Sequence, residues 1–596
     1  MEQEAKRNDG NDGGKDEEKL VHDSSVDHKG KVPLRASTGV WKASLFIITI
    51  EFSERLSYFG ISANLISYLT NVLHQDLKTA AKNVNYWTGV TTVMPLAGGF
   101  VADAYLGRFT MVLMSSLIYL MGLSLLTMSE LVPVIKPCNL GMCQKPRKIH
   151  EVLFFVALYC ISLGTGGHKP CLESFGADQF EDDHLEERKK KMSYFNWWNV
   201  ALCCGLLLGV TVIVYVQDKV SWGVADLILT IVMAVTILTF YMGKIYYRYQ
   251  LPEGSPLTPL LQVLVAAIRK RKLPYPSSPS LLYEAPKLNL SQGRLLCHTS
   301  RLRFLDKAAI VEDSENISTE KTRNPWRLAT VKKVEEMKLV LSMIPIWLTS
   351  LVFGVCVAQA ATFFVKQAAT MDRKIGNKFD IPPASIYSLA AIGMMVSVIT
   401  YEKILIPFLR KVTGNERGIS ILQRIGIGMI FSTLSMVTAA CVEMKRLKAV
   451  EKEIIQGGKK GPLSMRVFWL APQYIIHGLG DGFALVGLQE YFYDQVPDSM
   501  RSLGVAFYLS VIGVGSFLSS FLIIIVDHIT IKDGKSWIGK DLNMSRLDNF
   551  YWMLAALIVL NLGAYVFLAR RYSYKNVERG VLVSHCPESD GAETVL

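Results

Sequence analysis

The chain predicts an all-α membrane protein of about twelve transmembrane helices arranged as two six-helix halves. Three observations lead there. Hydrophobic residues make up 50% of the 596 and charged residues only 19%, against about 25% in soluble domains, and the mean hydropathy is +0.26. Apolar runs of about 20 residues, the length that crosses a bilayer as a helix, recur along the chain. They fall into two groups of about six, separated by one long polar segment over 248–332.

The net charge of +12 does not point to nucleic acid. Its basic residues are scattered through loops that flank the spans, where they meet membrane lipid headgroups. Residues 1–40 are polar, lack the apolar core of a signal peptide, and read as a disordered tail. The ten cysteines show no metal-ligand spacing, so no metal site is expected. Most of them sit in apolar runs as small core residues. Cys138 and Cys143 share one loop, where an oxidising compartment would permit a disulfide.

The first half covers 41–247, with spans expected at about 41–73, 80–105, 109–130, 152–170, 195–216 and 222–247. The linker 248–332 carries an amphipathic helix at 259–272 with a basic end, suited to lying on an anionic surface. The second half covers 333–570, with spans at about 335–364, 383–410, 418–443, 465–493, 502–528 and 549–570. A second tail occupies 571–596. An even span number puts both termini on one face. Basic residues at 188–191, through the linker, at Arg410-Lys411 and at Arg570-Arg571 fall on that face, which makes it cytoplasmic. The loop at 445–460 is also basic, yet parity places it outside; the long linker and parity outweigh it.

The first span organises the chemistry, because Glu51, Glu54 and Arg55 lie near its middle. Facing lipid, three ionised groups would cost about 7–10 kcal/mol on insertion scales. Their spacing of three and four places them on one helix face, which must look into protein or a water-filled cavity. Lys169 follows a glycine cluster at the end of the fourth span and needs a carboxylate partner, for which Glu51 or Glu54 is the candidate. That cluster, Gly-Thr-Gly-Gly-His-Lys, lacks phosphate-loop spacing, so nothing supports driving by ATP. Asp103, a tight turn at Gly107, and Arg108 form a charge pair that can join a helix terminus in one conformer and break in another. Glu490 is a membrane carboxylate of the second half. His477 and Asp481 lie one turn apart on the same span, more in keeping with a satisfied core pair than with a proton relay.

Several motifs in order closely resemble the proton-coupled oligopeptide transporter family of the major facilitator superfamily, with its plant nitrate transporter/peptide transporter branch nearest. Glu51-Phe52-Ser53-Glu54-Arg55, with Tyr58-Phe59-Gly60 after it, is similar to the family's first-span signature. Gly99 through Arg108 resembles the superfamily's first inter-helix motif. Phe175-Gly176-Ala177-Asp178-Gln179-Phe180 followed by Phe195-Asn196-Trp197-Trp198 resembles the second signature, and Tyr491-Phe492-Tyr493-Asp494-Gln495-Val496-Pro497 the end of the tenth span. The resemblance covers roughly 40–570. It implies a major facilitator-type fold and alternating access, powered by the proton gradient with no cofactor and no enzymatic step. It implies proton coupling by Glu51, Glu54, Arg55 and Lys169. Tyr58, Gln359 and Glu490 are implied at the substrate, and Gly99, Asp103, Gly107 and Arg108 in the conformational motif.

Departures bear on the substrate. Ser62 stands where bacterial dipeptide carriers of the family usually place a second basic residue. Val357 precedes Ala358-Gln359 where some nitrate carriers have histidine. Phe59 replaces a common tyrosine, and Asn199 a usual aromatic. The expectation is a proton-coupled symporter of a small nitrogenous solute, nitrate or a di- or tripeptide, in the plasma or vacuolar membrane. Its alternatives are a carrier of a hormone or secondary metabolite and a non-transporting solute sensor.

Overall fold

The structure is a computed structural model. It describes residues 20–572 except 22, 24, 138–146, 182–183, 253, 256, 276–281, 284–297, 312–323, 377–378, 414–418, 456–462, 497–500, 533–535 and 540–541. Cys138, Cys143 and Pro497 therefore lie outside the described residues. The long helices are α1 (Val40–Ser62), α2 (Leu77–Val101), α3 (Arg108–Leu131), α4 (Lys148–Ala177), α5 (Leu185–Lys219) and α6 (Trp222–Ile245). After the linker come α7 (Val331–Thr370), α8 (Pro383–Val412), α9 (Ile421–Ile455), α10 (Ala471–Gln495), α11 (Arg501–Lys532) and α12 (Leu547–Arg571).

Among the described residues nine of these are long and apolar enough to cross a membrane. The other three, α1, α2 and α10, match them in length but are more polar. Their polar residues meet protein instead of lipid: Glu51, Glu54, Asn85, Thr91, Gln473 and His477 are all buried. Such placement avoids the cost of ionised and amide groups in hydrocarbon.

Local chemistry sets the helix ends. The Asp76 carboxylate accepts from Thr79 N at 3.2 Å to cap α2, and Thr330 Oγ1 accepts from Lys333 N at 3.4 Å to cap α7. The first span does not run unbroken to residue 73. It stops at Ser62, and a separate short helix, Leu65–Asn71, follows. The fourth span runs beyond Pro170 to Ala177. Proline is tolerated there because the close neighbour α2 restores packing: a Cβ on Gly98 would collide with the Gly166 carbonyl. Lys169 is consequently mid-helix, not terminal.

The first six helices pack through α3–α4, α2–α4, α1–α5, α3–α6 and α1–α6. The last six pack through α9–α10, α8–α10, α9–α12, α7–α11 and α7–α12. The two sets meet chiefly along α2 and α11. There Asn85 Nδ2 donates to Ser519 Oγ at 3.1 Å and Ser520 Oγ to the Lys82 carbonyl at 3.3 Å.

Both ends of the described chain lie on the linker side. Arg301 Nη2 donates to the Arg571 carbonyl at 3.0 Å, and Gly39 N to the Tyr246 carbonyl at 2.7 Å. The expected disordered tail is not loose throughout. Val26 pairs with Tyr249, Arg35 bonds Glu181 at 2.6 Å, and the fully buried Arg248 joins Thr38 O at 3.1 Å to Glu187 at 2.7 Å. The charges of a polar segment have found partners on the helix ends, which orders it. The linker helix, Leu257–Arg269, also differs from expectation. It turns Leu260, Val263, Ala266 and Ala267 onto α7 and the turn Asp306–Ala309, so its apolar face serves protein packing rather than a lipid surface.

Candidate functional site

A cavity of about 1830 Å³ runs between the two helix sets. Gln250, Pro252, Lys333 and Arg410 line it on the linker side, so it opens there. On the far side the sets are tied together. Lys78 pairs with Asp527, Lys366 Nζ donates to Thr70 Oγ1 at 2.8 Å, Lys219 lies 3.6 Å from Asp380, and the rings of Tyr215 and Phe379 stack at 5.9 Å.

In the first set the cavity wall is Arg55 and Tyr58 of α1 with Lys169 and Glu173 of α4. Arg55 fills the gap between two carboxylates. Its Nε is 2.8 Å from Glu51 Oε1 and its Nη2 2.9 Å from Glu54 Oε2. The i,i+4 spacing sets Arg55 beside Glu51, and the forked guanidinium on its long side chain reaches the neighbouring Glu54 as well. Glu51 and Glu54, 2% and 0% exposed, form a layer behind the cavity wall, with Arg55 as their face to it. Thr165 Oγ1 donates to Glu54 at 3.5 Å.

Because Arg55 takes both carboxylates, Lys169 makes no ion pair with Glu51 or Glu54 within 4 Å among the described residues. Its Nζ instead lies 4.2 Å above the Tyr58 ring, a cation–π contact. Glu173, one turn beyond Lys169, was overlooked in the sequence because the span was expected to end at Pro170. The i,i+4 spacing to Lys169 was the available signal.

The conformational motif assembles. Gly107 adopts φ 75°, the left-handed turn that glycine alone takes without strain, and starts α3 at Arg108. Arg108 Nη1 grips both oxygens of Asp178 at the end of α4, at 2.7 and 2.5 Å, and Arg108 Nε lies 3.5 Å from Asp103. Gly99 packs on the Pro170 ring, where an added Cβ would lie 3.4 Å away. The second set repeats the arrangement. Arg424 at the start of α9 reaches Glu490 near the end of α10 at 3.3 Å, and its guanidinium sits 4.1 Å over the Tyr401 ring. Glu490 lines the cavity. Gln359 does not: it is fully buried and donates to the Val355 carbonyl at 2.8 Å and to Ser519 Oγ at 3.1 Å, while Val357 and Ala358 occupy the wall. A helix exposes only part of its circumference, and the pattern alone did not reveal which part. Gln367 is likewise buried and donates to Glu443 at 2.7 Å.

Opposite the α1–α4 wall stand Tyr387 of α8, Asp481 of α10 and Tyr508 of α11, residues to which the sequence analysis gave no place in the cavity. Among the described residues two groups offer donor atoms clustered within 4.8 Å, Glu51–Glu54–His168 and His298–Asp306–Glu335. Each already holds an organic cation. Arg55 bridges both carboxylates of the first, and Lys338 both of the second, at 2.6 Å from Asp306 and 2.8 Å from Glu335. Both fit an ion pair better than a metal.

Known proteins carry the same architecture. The family model PTR2, POT family, matches residues 109–541. Protein NRT1/ PTR FAMILY 5.6 of Arabidopsis thaliana is 60% identical over 564 residues, 94% of this chain and 96% of that one. Protein NRT1/ PTR FAMILY 5.7 of the same plant is 59% identical over 583 residues, 97% and 95% of the two chains. The crystal structure of an auto inhibited POT family peptide transporter matches with a TM-score of 0.67 at 19% identity, over 90% of this chain and 99% of that one. Sequence and fold thus agree: the chain is a multi-pass membrane transporter of major facilitator-type fold and belongs to the POT family, in its NRT1/PTR branch.

Proposed function

We propose that this transporter is a proton-coupled symporter of a small nitrogenous solute, nitrate or a di- or tripeptide, working by alternating access with both termini cytoplasmic. The observation that carries the proposal is the cavity. It is open on the linker side, tied shut on the far side, and carries a carboxylate–guanidinium cluster set into its wall at mid-helix depth. Ion pairs that exist in one conformer only are the means by which a proton biases an equilibrium between two. Glu51, Glu54, Arg55 and Lys169 take the proton-coupling role. Tyr58 and Glu490 face the solute, and Gln359, bonded to Ser519 of α11, stands behind the wall. Arg108–Asp178 and Arg424–Glu490 latch helix ends near the linker side.

A second reading has its own support. The cavity far exceeds the size of nitrate, and Leu202, Leu206, Met394, Met395 and Ile399 give it apolar walls, which suit an organic solute such as a hormone or secondary metabolite.

The test is an uptake screen at acidic external pH, in cells for the plasma membrane and in isolated vacuoles for the internal one. The panel is nitrate, peptides and hormones. Glu51→Gln is expected to lose gradient-driven accumulation of the accepted solute yet keep exchange across equal pH. Undiminished accumulation by Glu51→Gln overturns the coupling, and binding without flux favours a sensor.

A further inference from the structure

The proton-coupling cluster belongs to the first six helices, and a second polar group in the last six has no task yet. Along α10, His477 Nε2 lies 3.6 Å from Asp481 Oδ2. His477 is fully buried, and neither of its ring nitrogens has a hydrogen-bond partner among the described residues. Asp481 is 6% exposed and lines the cavity, and its Oδ1 likewise has no donor. Buried polar atoms are nearly always satisfied, and leaving one orphaned costs about 1–3 kcal/mol. A pair kept only to brace α10 would have its atoms bonded.

The surroundings leave His477 as the ionic partner of Asp481. From α7, Cys356 comes within electrostatic reach of Asp481, as do Tyr387 from α8 and Tyr508 from α11. A thiol and two phenols are uncharged in neutral solution. Tyr401 of α8 packs on Phe483 instead. Arg424 of α9 is the nearby cation, but it is turned to Glu490 and to the Gly482 carbonyl, each at 3.3 Å. Across the cavity, Arg55 and Glu173 are close enough to act on Tyr508, and Tyr58 on Tyr387.

We propose that Asp481 and His477 form a second proton-binding pair, loaded from the cavity and separate from the Glu51–Glu54–Arg55 cluster. A proton passes from cavity water to the carboxylate of Asp481, which His477 Nε2 faces at 3.6 Å. The pair thereby goes from one negative charge to none. The wall facing Arg55 and Lys169 changes sign balance with it, so solute affinity depends on the loaded state. That consequence rests on the transport function proposed above; the pair itself does not.

The test therefore uses no solute. Purified full-length protein in detergent micelles is stepped between about pH 5 and pH 8, while infrared difference spectra and proton uptake are recorded. The expected result is a protonated-carboxyl band that Asp481→Asn abolishes and Glu51→Gln retains, with uptake lower by about one proton per chain. His477→Gln is expected to keep the band and displace its midpoint. Identical spectra for wild type and Asp481→Asn, or a midpoint indifferent to His477→Gln, overturn the proposal. Should Asp481→Asn not fold, the His477→Gln midpoint decides. A chain that moves solute without protons still shows the band if the pair exists, so failure of the transport function is distinguishable from failure of the pair.

Discussion

Replacing Arg55 by leucine tests the central cluster without knowledge of the solute. The guanidinium holds Glu51 at 2.8 Å and Glu54 at 2.9 Å, and these carboxylates are 2% and 0% exposed. Removing one partner of a buried ion pair leaves an uncompensated charge and costs about 3–5 kcal/mol. Here one cation serves two anions three residues apart, so the loss is expected at the upper end, about 5 kcal/mol or roughly four-thousandfold in the folded-to-unfolded ratio. The remedy is as informative as the damage. Glu51→Gln with Glu54→Gln removes the stranded charges, and the triple variant is expected to recover most of the lost stability, because neutral amides need no counter-ion. Thermal unfolding in detergent micelles measures all of these variants. An Arg55→Leu protein that melts with the wild type, or a triple variant no more stable than the single, would refute the claim that Arg55 is what keeps two carboxylates inside the bundle.

Other consequences are read in the same assay or a close relative. Asp76→Ala is expected to cost about 1 kcal/mol through loss of the α2 cap. Partial burial pushes the Asp76 carboxyl up, but hydrogen bonds from Thr79 outweigh it and hold the group below the usual carboxylate range. A depressed value gives stability that is present above about pH 4 and lost as pH falls through the folded value, so the difference between Asp76→Ala and wild type should vanish in strong acid. Gly164→Ala is expected to destabilise by about 1–3 kcal/mol, since the added Cβ would lie 2.8 Å from the Ser115 carbonyl and from Tyr119 N. Gly563→Ala, with nothing within 4 Å of the new atom, is expected to stabilise α12 by about 0.5–1 kcal/mol. Reversal of that order in melting temperature would contradict the packing. Lys78→Ala with Lys219→Ala removes two ties between the helix sets on the far side and is expected to raise labelling of a cysteine placed at Ser62, on the cavity wall, by a membrane-impermeant thiol reagent added from that side. Unchanged labelling would show that the ties do not hold the far side shut.

Much of this protein follows from composition and local pattern. Spans of about 20 apolar residues announce themselves because a bilayer imposes their length. Glu51, Glu54 and Arg55 stand out because three charges in such a run are too costly to face lipid, and the Gly107 turn is written in the one residue that takes its backbone angles freely. What one sequence did not determine is the partner of each charge. Lys169 was expected to meet a carboxylate, and the fold gave both carboxylates to Arg55, leaving the lysine over Tyr58. Gln359 was expected at the solute, and the rotation of α7 about its axis turned it onto Ser519. Asp481 entered the cavity wall only when α10 packed against α8 and α9. Hydrophobic period and residue type are local and survive in the chain as text. Helix rotation, tilt and the choice among nearby counter-charges are set by contacts between residues hundreds of positions apart, and only the packed bundle decides them.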